Sequence, residues 1–98
     1  MSEVSLKERY KRSSSVVGRR IADEAVLVPI RKNVSDLSSI FALNETAALA
    51  WDMWDGQNSL QVILEKITAE FEVDEAVAAR DLLALAARLL ELDAIEKV

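Results

Sequence analysis

Residues 40–56 read IFALNETAALAWDMWDG, and this run decides the fold. Ile40, Phe41, Ala42 and Leu43 are apolar and partly β-favouring, so they predict a short strand. Asn44 is a good helix N-cap, and Glu45 sits in the first turn, where a carboxylate suits the helix dipole. Ala47, Ala50, Trp51 and Trp54 recur at helical spacing and predict a helix over about 45–55. Asp55 and Gly56 stop it, with Gly56 suited to the left-handed C′ position. A strand running directly into a capped helix predicts a small sheet that meets a helical bundle here.

Working outward, residues 16–21 (VVGRRI) predict a first strand, probed at its middle by Gly18, which weakens it and favours an edge position. Asp23 and Glu24 make the expected turn, and Ala25–Val28 predict a second strand, whose pairing Pro29 ends unless it sits on an open edge. Residues 31–39 are polar apart from Val34 and Leu37 and predict a loop. Three short strands are not stable alone and need helices on one face. Downstream, Ser59 caps a helix of about 60–71 with Leu60, Ile63, Leu64, Ile67 and Phe71 on one face. Asp74 caps the third and longest helix, about 75–92, and Ile95 turns back onto the core. The fold class is α+β: a winged-helix-like, three-stranded antiparallel sheet, N-terminal in the chain, packed on a three-helix bundle over residues 16–98. Residues 1–15 are polar, basic and Ser-rich, with Val4, Leu6 and Tyr10 the only aliphatic or aromatic residues beyond Met1, and they read as a flexible basic arm.

The third helix carries more apolar surface than one core needs. At about 100° per residue, Ala78, Leu82, Leu85, Leu89 and Leu92 form the expected core stripe. Ala79, Leu83, Ala86, Ala87 and Leu90 form a second stripe further round. Trp51 and Trp54 are read as core residues rather than a ligand box.

Composition narrows the function. The chain of 98 residues is 51% hydrophobic, which suffices for one core. It has no Cys and no His, so disulfide and thiolate chemistry are excluded and the commonest general base and metal ligand are missing. The pairs Asp23–Glu24 and Asp74–Glu75 are explained by a turn and a cap. No phosphate loop, nucleophile elbow or metal spacing is present, so no catalytic residue, metal site or cofactor is assigned and an enzyme is not expected. No apolar run is long enough to span a membrane and no secretory segment is seen, which makes the cytoplasm the expected location. Residues 1–32 hold eight Lys/Arg against four acids, whereas residues 33–98 hold four against thirteen. An acidic body disfavours nucleic acid.

The string LNETAALAWDMWDG, residues 43–56, resembles the signature of the PqqD family, the peptide-recognition element of ribosomally made, post-translationally modified peptides. The hairpin VVGRRIADEAVLV before it and the helices SLQVILEKITAEFEVDEAVAARDLLALAARLLELDAI after it run in the family's order. The resemblance implies a non-catalytic chaperone that binds the leader of a precursor peptide and presents it to a modifying enzyme. That enzyme is typically of the radical S-adenosylmethionine (SAM) type, as in pyrroloquinoline quinone biosynthesis or a related pathway. It also implies that the leader adds as a strand to the third strand of the sheet, against the third helix. Carried onto this chain, the peptide-binding residues are Ser38, Ser39, Ile40, Phe41, Ala42 and Leu43, with Ala79, Arg80, Leu83, Ala87 and Leu90 on the helix. Arg80 would pair with an acidic leader residue. Asp93 stands where the family usually has Gly, and Asp tolerates the left-handed conformation such a turn needs.

Two further readings remain at this stage. The element order also suits a winged-helix DNA-binding module, but the third helix carries too few cations to face phosphates. A homodimer through the surplus stripe is the other.

Overall fold

The computed structural model describes residues 5–30 and 40–98. Its elements are β1 (Arg9–Arg12), β2 (Val16–Ile21), β3 (Glu24–Pro29), β4 (Phe41–Leu43), α1 (Glu45–Met53), β5 (Asp55–Ser59), α2 (Leu60–Glu70), α3 (Glu75–Glu91) and β6 (Ile95–Lys97). The expected sheet is present as an antiparallel β2-β3-β4. The strand of residues 40–43 is one residue shorter than expected, with Ile40 just ahead of it. The turn is Ala22–Asp23, one residue earlier than Asp23–Glu24, so Glu24 opens β3 instead. Ala22 takes φ 58°, at the loop position where a two-residue hairpin turn favours Gly.

A second antiparallel sheet, β5-β1-β6, was not expected. It corrects the reading of residues 1–15 as a flexible arm, because Arg9–Arg12 is its central strand. Tyr10 anchors that strand in the core at 1% exposure. The Arg12 guanidinium donates to the carbonyls of Trp51 and Asp52, each at 3.0 Å, and so satisfies the end of α1, which has no basic residue of its own there. Ser13, in the Ser-rich end of that expected arm, is buried and donates its N–H to the Ala94 carbonyl at 2.9 Å. Residues 57–59, which lie between the first two predicted helices, belong to β5. Gly56 is left-handed at φ 89°, as expected, but inside β5, where the register against β1 shifts, and not at the helix C′ position. Burial raises the Tyr10 hydroxyl pKa above 10.0, Glu8 adds to this, and Lys97 opposes it. The Gln57 N–H, 2.9 Å from the Asp55 carboxylate, holds the Asp55 pKa below 3.8.

The helices start where their caps direct. Asn44 accepts from the Ala47 N–H, Ser59 from Val62, and Asp74 from Ala76 and Val77. Helix α1 ends at Met53, with Trp54 as its C-cap. Trp51 and Trp54 are core residues, at 6% and 0% exposure. Gly18 lets β2 lie directly on Trp51: a Cβ there would stand 2.5 Å from the indole Nε1. At the end of α3, Asp93 adopts φ 58°. The Asp93 N–H bonds the Leu90 carbonyl at 3.1 Å and the Ala94 N–H bonds Leu89 at 2.8 Å, which is the Schellman pattern. The turn therefore forms with Asp in place of Gly and delivers Ile95 to the core at 2% exposure.

Candidate functional site

In β2-β3-β4, β2 and β4 flank β3, and β4 has no second strand partner among the described residues. The direction of its backbone groups follows from the ladder. The Ile30 N–H donates to the Ser15 carbonyl at 2.7 Å, and these two residues are opposite one another, continuing the Val16–Pro29 register. Directly opposed residues of an antiparallel pair alternate between hydrogen-bonded and non-bonded. Residues 28, 26 and 24 of β3 therefore turn their backbone groups to β2, and Leu27 and Ala25 turn theirs to β4. Pro29, without an N–H, falls at a non-bonded position against β2, as the alternation requires. Leu27 and Ala25 face Phe41 and Leu43, so those two residues hold β4 in the sheet. Ala42 faces Val26 in a non-bonded pair, and its N–H and C=O point to the open edge. An open edge of this kind is a template for another strand.

Side chains alternate the other way. Leu43 is buried, Phe41 half-buried against the core, and Ala42 and Ile40 exposed. Ser38 and Ser39 lie outside the described residues. Two clefts border α3, one against the start of α1 and α2 and one against the inner face of the sheet. One, of about 340 Å³, is lined by Asn44 and Ala47 at the start of α1, by Ile67 and Val73, and by Val77, Asp81 and Leu85 of α3 among others. The other, of about 260 Å³, lies between Leu27, Pro29 and Phe41 on the inner sheet face and Glu91 to Ala94 beyond α3. The clefts thus take up the two ends of the seam from Phe41 to Asn44.

On α3 the buried row is Ala78, Leu82, Ala86 and Leu89. This differs from the expected stripe: Ala86 is wholly buried, and Leu85 and Leu92 are half-buried flanking residues. A small residue sits at the closest approach of α3 to the core, and the larger leucines spread to either side. The sequence-derived residues Ala79, Leu83, Ala87 and Leu90 are half-buried, and Arg80 is exposed beside Asp81 at 3.8 Å. None of these five lines either cleft. Leu85 and Leu83 fall on opposite sides of the buried row, and the Leu85 side carries Val77 and Asp81 at four-residue spacing. It is this flank, continued at Leu92, that borders the clefts. Sequence periodicity alone could have found Val77-Asp81-Leu85, two residues before the Ala79-Leu83-Ala87 stripe and on the other flank of the core row. Asp81 and Glu91 border the clefts with negative charge, and Arg88, 3.6 Å from Glu91, is the nearby cation on the same helix.

The site has the parts of a strand acceptor: free backbone groups at Ala42, a neighbouring apolar cleft and a polar rim. No helix among the described residues is long and apolar enough to cross a membrane. Residues 24–95 match the sequence model of the family Coenzyme PQQ synthesis protein D (PqqD). A search of the curated proteins finds no match. Among solved structures, the chain is similar to TbiB1 in complex with the TbiA(β) leader peptide, with a TM-score of 0.71 and 27% identity over 88% of this chain and 94% of that one.

Proposed function

The chain belongs to the PqqD family, and from that we propose that it is a non-catalytic peptide chaperone: it binds the leader of a ribosomally made precursor peptide by strand addition and presents the peptide to a modifying enzyme. The observation that carries the reading is the outward direction of the Ala42 N–H and C=O on an edge that borders two clefts. A leader lying antiparallel or parallel to β4 would exchange main-chain bonds with Ala42. Its alternate side chains would enter the clefts against Leu85 and Leu92. Main-chain bonds supply affinity without sequence preference, and the clefts supply the preference. The binding residues on this reading are Ile40, Phe41, Ala42 and Leu43 with the Val77-Asp81-Leu85 flank of α3. The similar structure, itself a complex with a leader peptide, supports this class of ligand. The family resemblance supports a radical SAM enzyme or another peptide-modifying enzyme as the recipient, in the cytoplasm, in pyrroloquinoline quinone biosynthesis or a related pathway.

The test is a titration of isotope-labelled protein with a synthetic leader peptide of a candidate precursor. Amides of residues 40–43 and 77–85 shift, and those of the β5-β1-β6 sheet do not. Leu85→Ser weakens binding by about tenfold, the loss of roughly 1.4 kcal/mol expected when an apolar anchor is lost. Leu83→Ser serves as the contrast. A loss confined to Leu83→Ser would return the helix side of the site to the Ala79-Leu83-Ala87 stripe, and no shift in 40–43 would remove the strand-addition site.

A further inference from the structure

The β2-β3-β4 sheet has a second face, turned away from the helices, and it is aliphatic where a solvated antiparallel face is normally polar. Strand alternation puts Val17, Arg19 and Ile21 of β2 on it, with Glu24, Val26 and Val28 of β3 and Ala42 of β4. Ile30 and Ile40 continue the alternation just beyond the strand ends. Val17 is 42% exposed, Ile21 62%, Ile30 60% and Ile40 46%. A contiguous exposed aliphatic surface of this sort marks an interaction site. It carries two charges, Arg19 and Glu24, both exposed, and neither has an ion-pair partner among the described residues.

We propose that this face docks a second copy of the same chain in a two-fold dimer. The placement of the two charges argues for a copy of itself over another partner. Arg19 is directly opposite Val26, and Glu24 is two residues before Val26 on the same strand. A two-fold axis laid diagonally over Ile21, Val26 and Ala42 brings Arg19 of each copy onto Glu24 of the other. A face with one unpaired cation and one unpaired anion, related in this way across an aliphatic row, is its own complement, as a two-fold interface requires. Ile21, Val26 and Ala42 then pack on their own counterparts, and the strands of the two sheets cross steeply, as in the orthogonal class of sheet packing. The contact uses the outward face of Ala42, whereas peptide binding uses its N–H and C=O in the plane of the sheet, so the two surfaces adjoin at this residue. Three short strands bury a small footprint, which sets the dimer among weak, reversible associations with Kd on the order of 10–100 μM.

Sedimentation equilibrium of the full chain from about 5 to about 500 μM gives a monomer–dimer equilibrium in that range. Arg19→Glu and Glu24→Arg each place like charges in both symmetry-related contacts and raise Kd about tenfold or more. An equimolar mixture of the two variants recovers dimers, because each copy then meets its complement. The double variant recovers them as well. Recovery by mixing also shows that the single variants are folded. A chain that stays monomeric up to about 500 μM overturns the proposal, as does a Kd that neither charge reversal changes.

Discussion

Gly18→Ala is a one-atom test of how the sheet is seated on the helices. The new Cβ would lie 2.5 Å from Trp51 Nε1, 3.1 Å from Trp51 Cε2 and 3.4 Å from Leu27 Cδ2. The first two distances are too short for unstrained contact, and both atoms belong to a rigid ring at 6% exposure. Retreat is restricted. The carbonyl of Trp51 is held by Arg12 at 3.0 Å, and Asp52 is tied to Arg20 of β2 at 3.3 Å. Overpacking of this kind costs about 1–3 kcal/mol. Replacing Gly stabilises by about 0.4–1 kcal/mol through the unfolded chain. The net is a destabilisation of about 1–2 kcal/mol, read as a fall in Tm of roughly 5–15 °C for a domain of this size. Urea unfolding followed by tryptophan fluorescence measures it. Trp51→Phe removes the clashing atoms, so Gly18→Ala in that background costs less, with a coupling of about 1 kcal/mol in the double-mutant cycle. A Gly18→Ala protein as stable as the parent, or a cycle with no coupling, would refute the close approach of β2 to Trp51.

Ala22→Gly removes the steric cost of φ 58° at the hairpin turn and stabilises the protein by about 0.5–1 kcal/mol, seen as a higher urea midpoint at unchanged slope. The buried Tyr10 hydroxyl, with its pKa raised above 10.0, gives an alkaline limb to stability. The contribution is complete below the unfolded value and is lost as pH rises through the folded one. Urea midpoints between about pH 8 and pH 12 fall for the parent and fall less for Tyr10→Phe. Asp55, held low by the Gln57 N–H, titrates below the usual carboxylate range. Its carboxyl carbon signal followed by NMR on acidification shows this, and the shift vanishes if the β5 turn is absent.

The strand–cap–helix run of residues 40–56 is legible because each of its signals is local: apolar residues, a capping Asn44 and helical spacing. The same holds for Ser59 and Asp74 and the helices they start. The β5-β1-β6 sheet is not legible, because its strands carry almost no apolar pattern. β5 is DGQNS, and β1 is RYKR with Tyr10 its sole buried residue. These strands form through pairing with distant partners and through Tyr10 and Ile95 as single anchors, and tertiary context of this kind overrides propensity. On α3 the sequence shows that the apolar arc is too wide, but not which edge of it faces β4. Leucine at 85 outweighs alanine at 86 by hydrophobicity, yet close packing places the alanine inward. The direction of the Ala42 N–H was also beyond the sequence reading, since placing the turn one residue late leaves the ladder phase undetermined, and a one-residue slip reverses every face.

The central claim is that the open edge at Ala42 takes the leader as a strand, and Ala42→Pro tests it most directly. Proline removes the N–H and fills its place with a ring, yet Ala42 makes no ladder bond to β3, so the sheet keeps its pairing. Calorimetry with the leader peptide that binds the parent gives a loss of one main-chain bond and leaves a peptide carbonyl unpaired, about 2–3 kcal/mol together, or roughly 30–150-fold in Kd. Urea unfolding of the same variant shows a stability change of about 1 kcal/mol or less. Unchanged leader affinity in a folded Ala42→Pro protein, or unfolding of the domain by that substitution, would contradict the account.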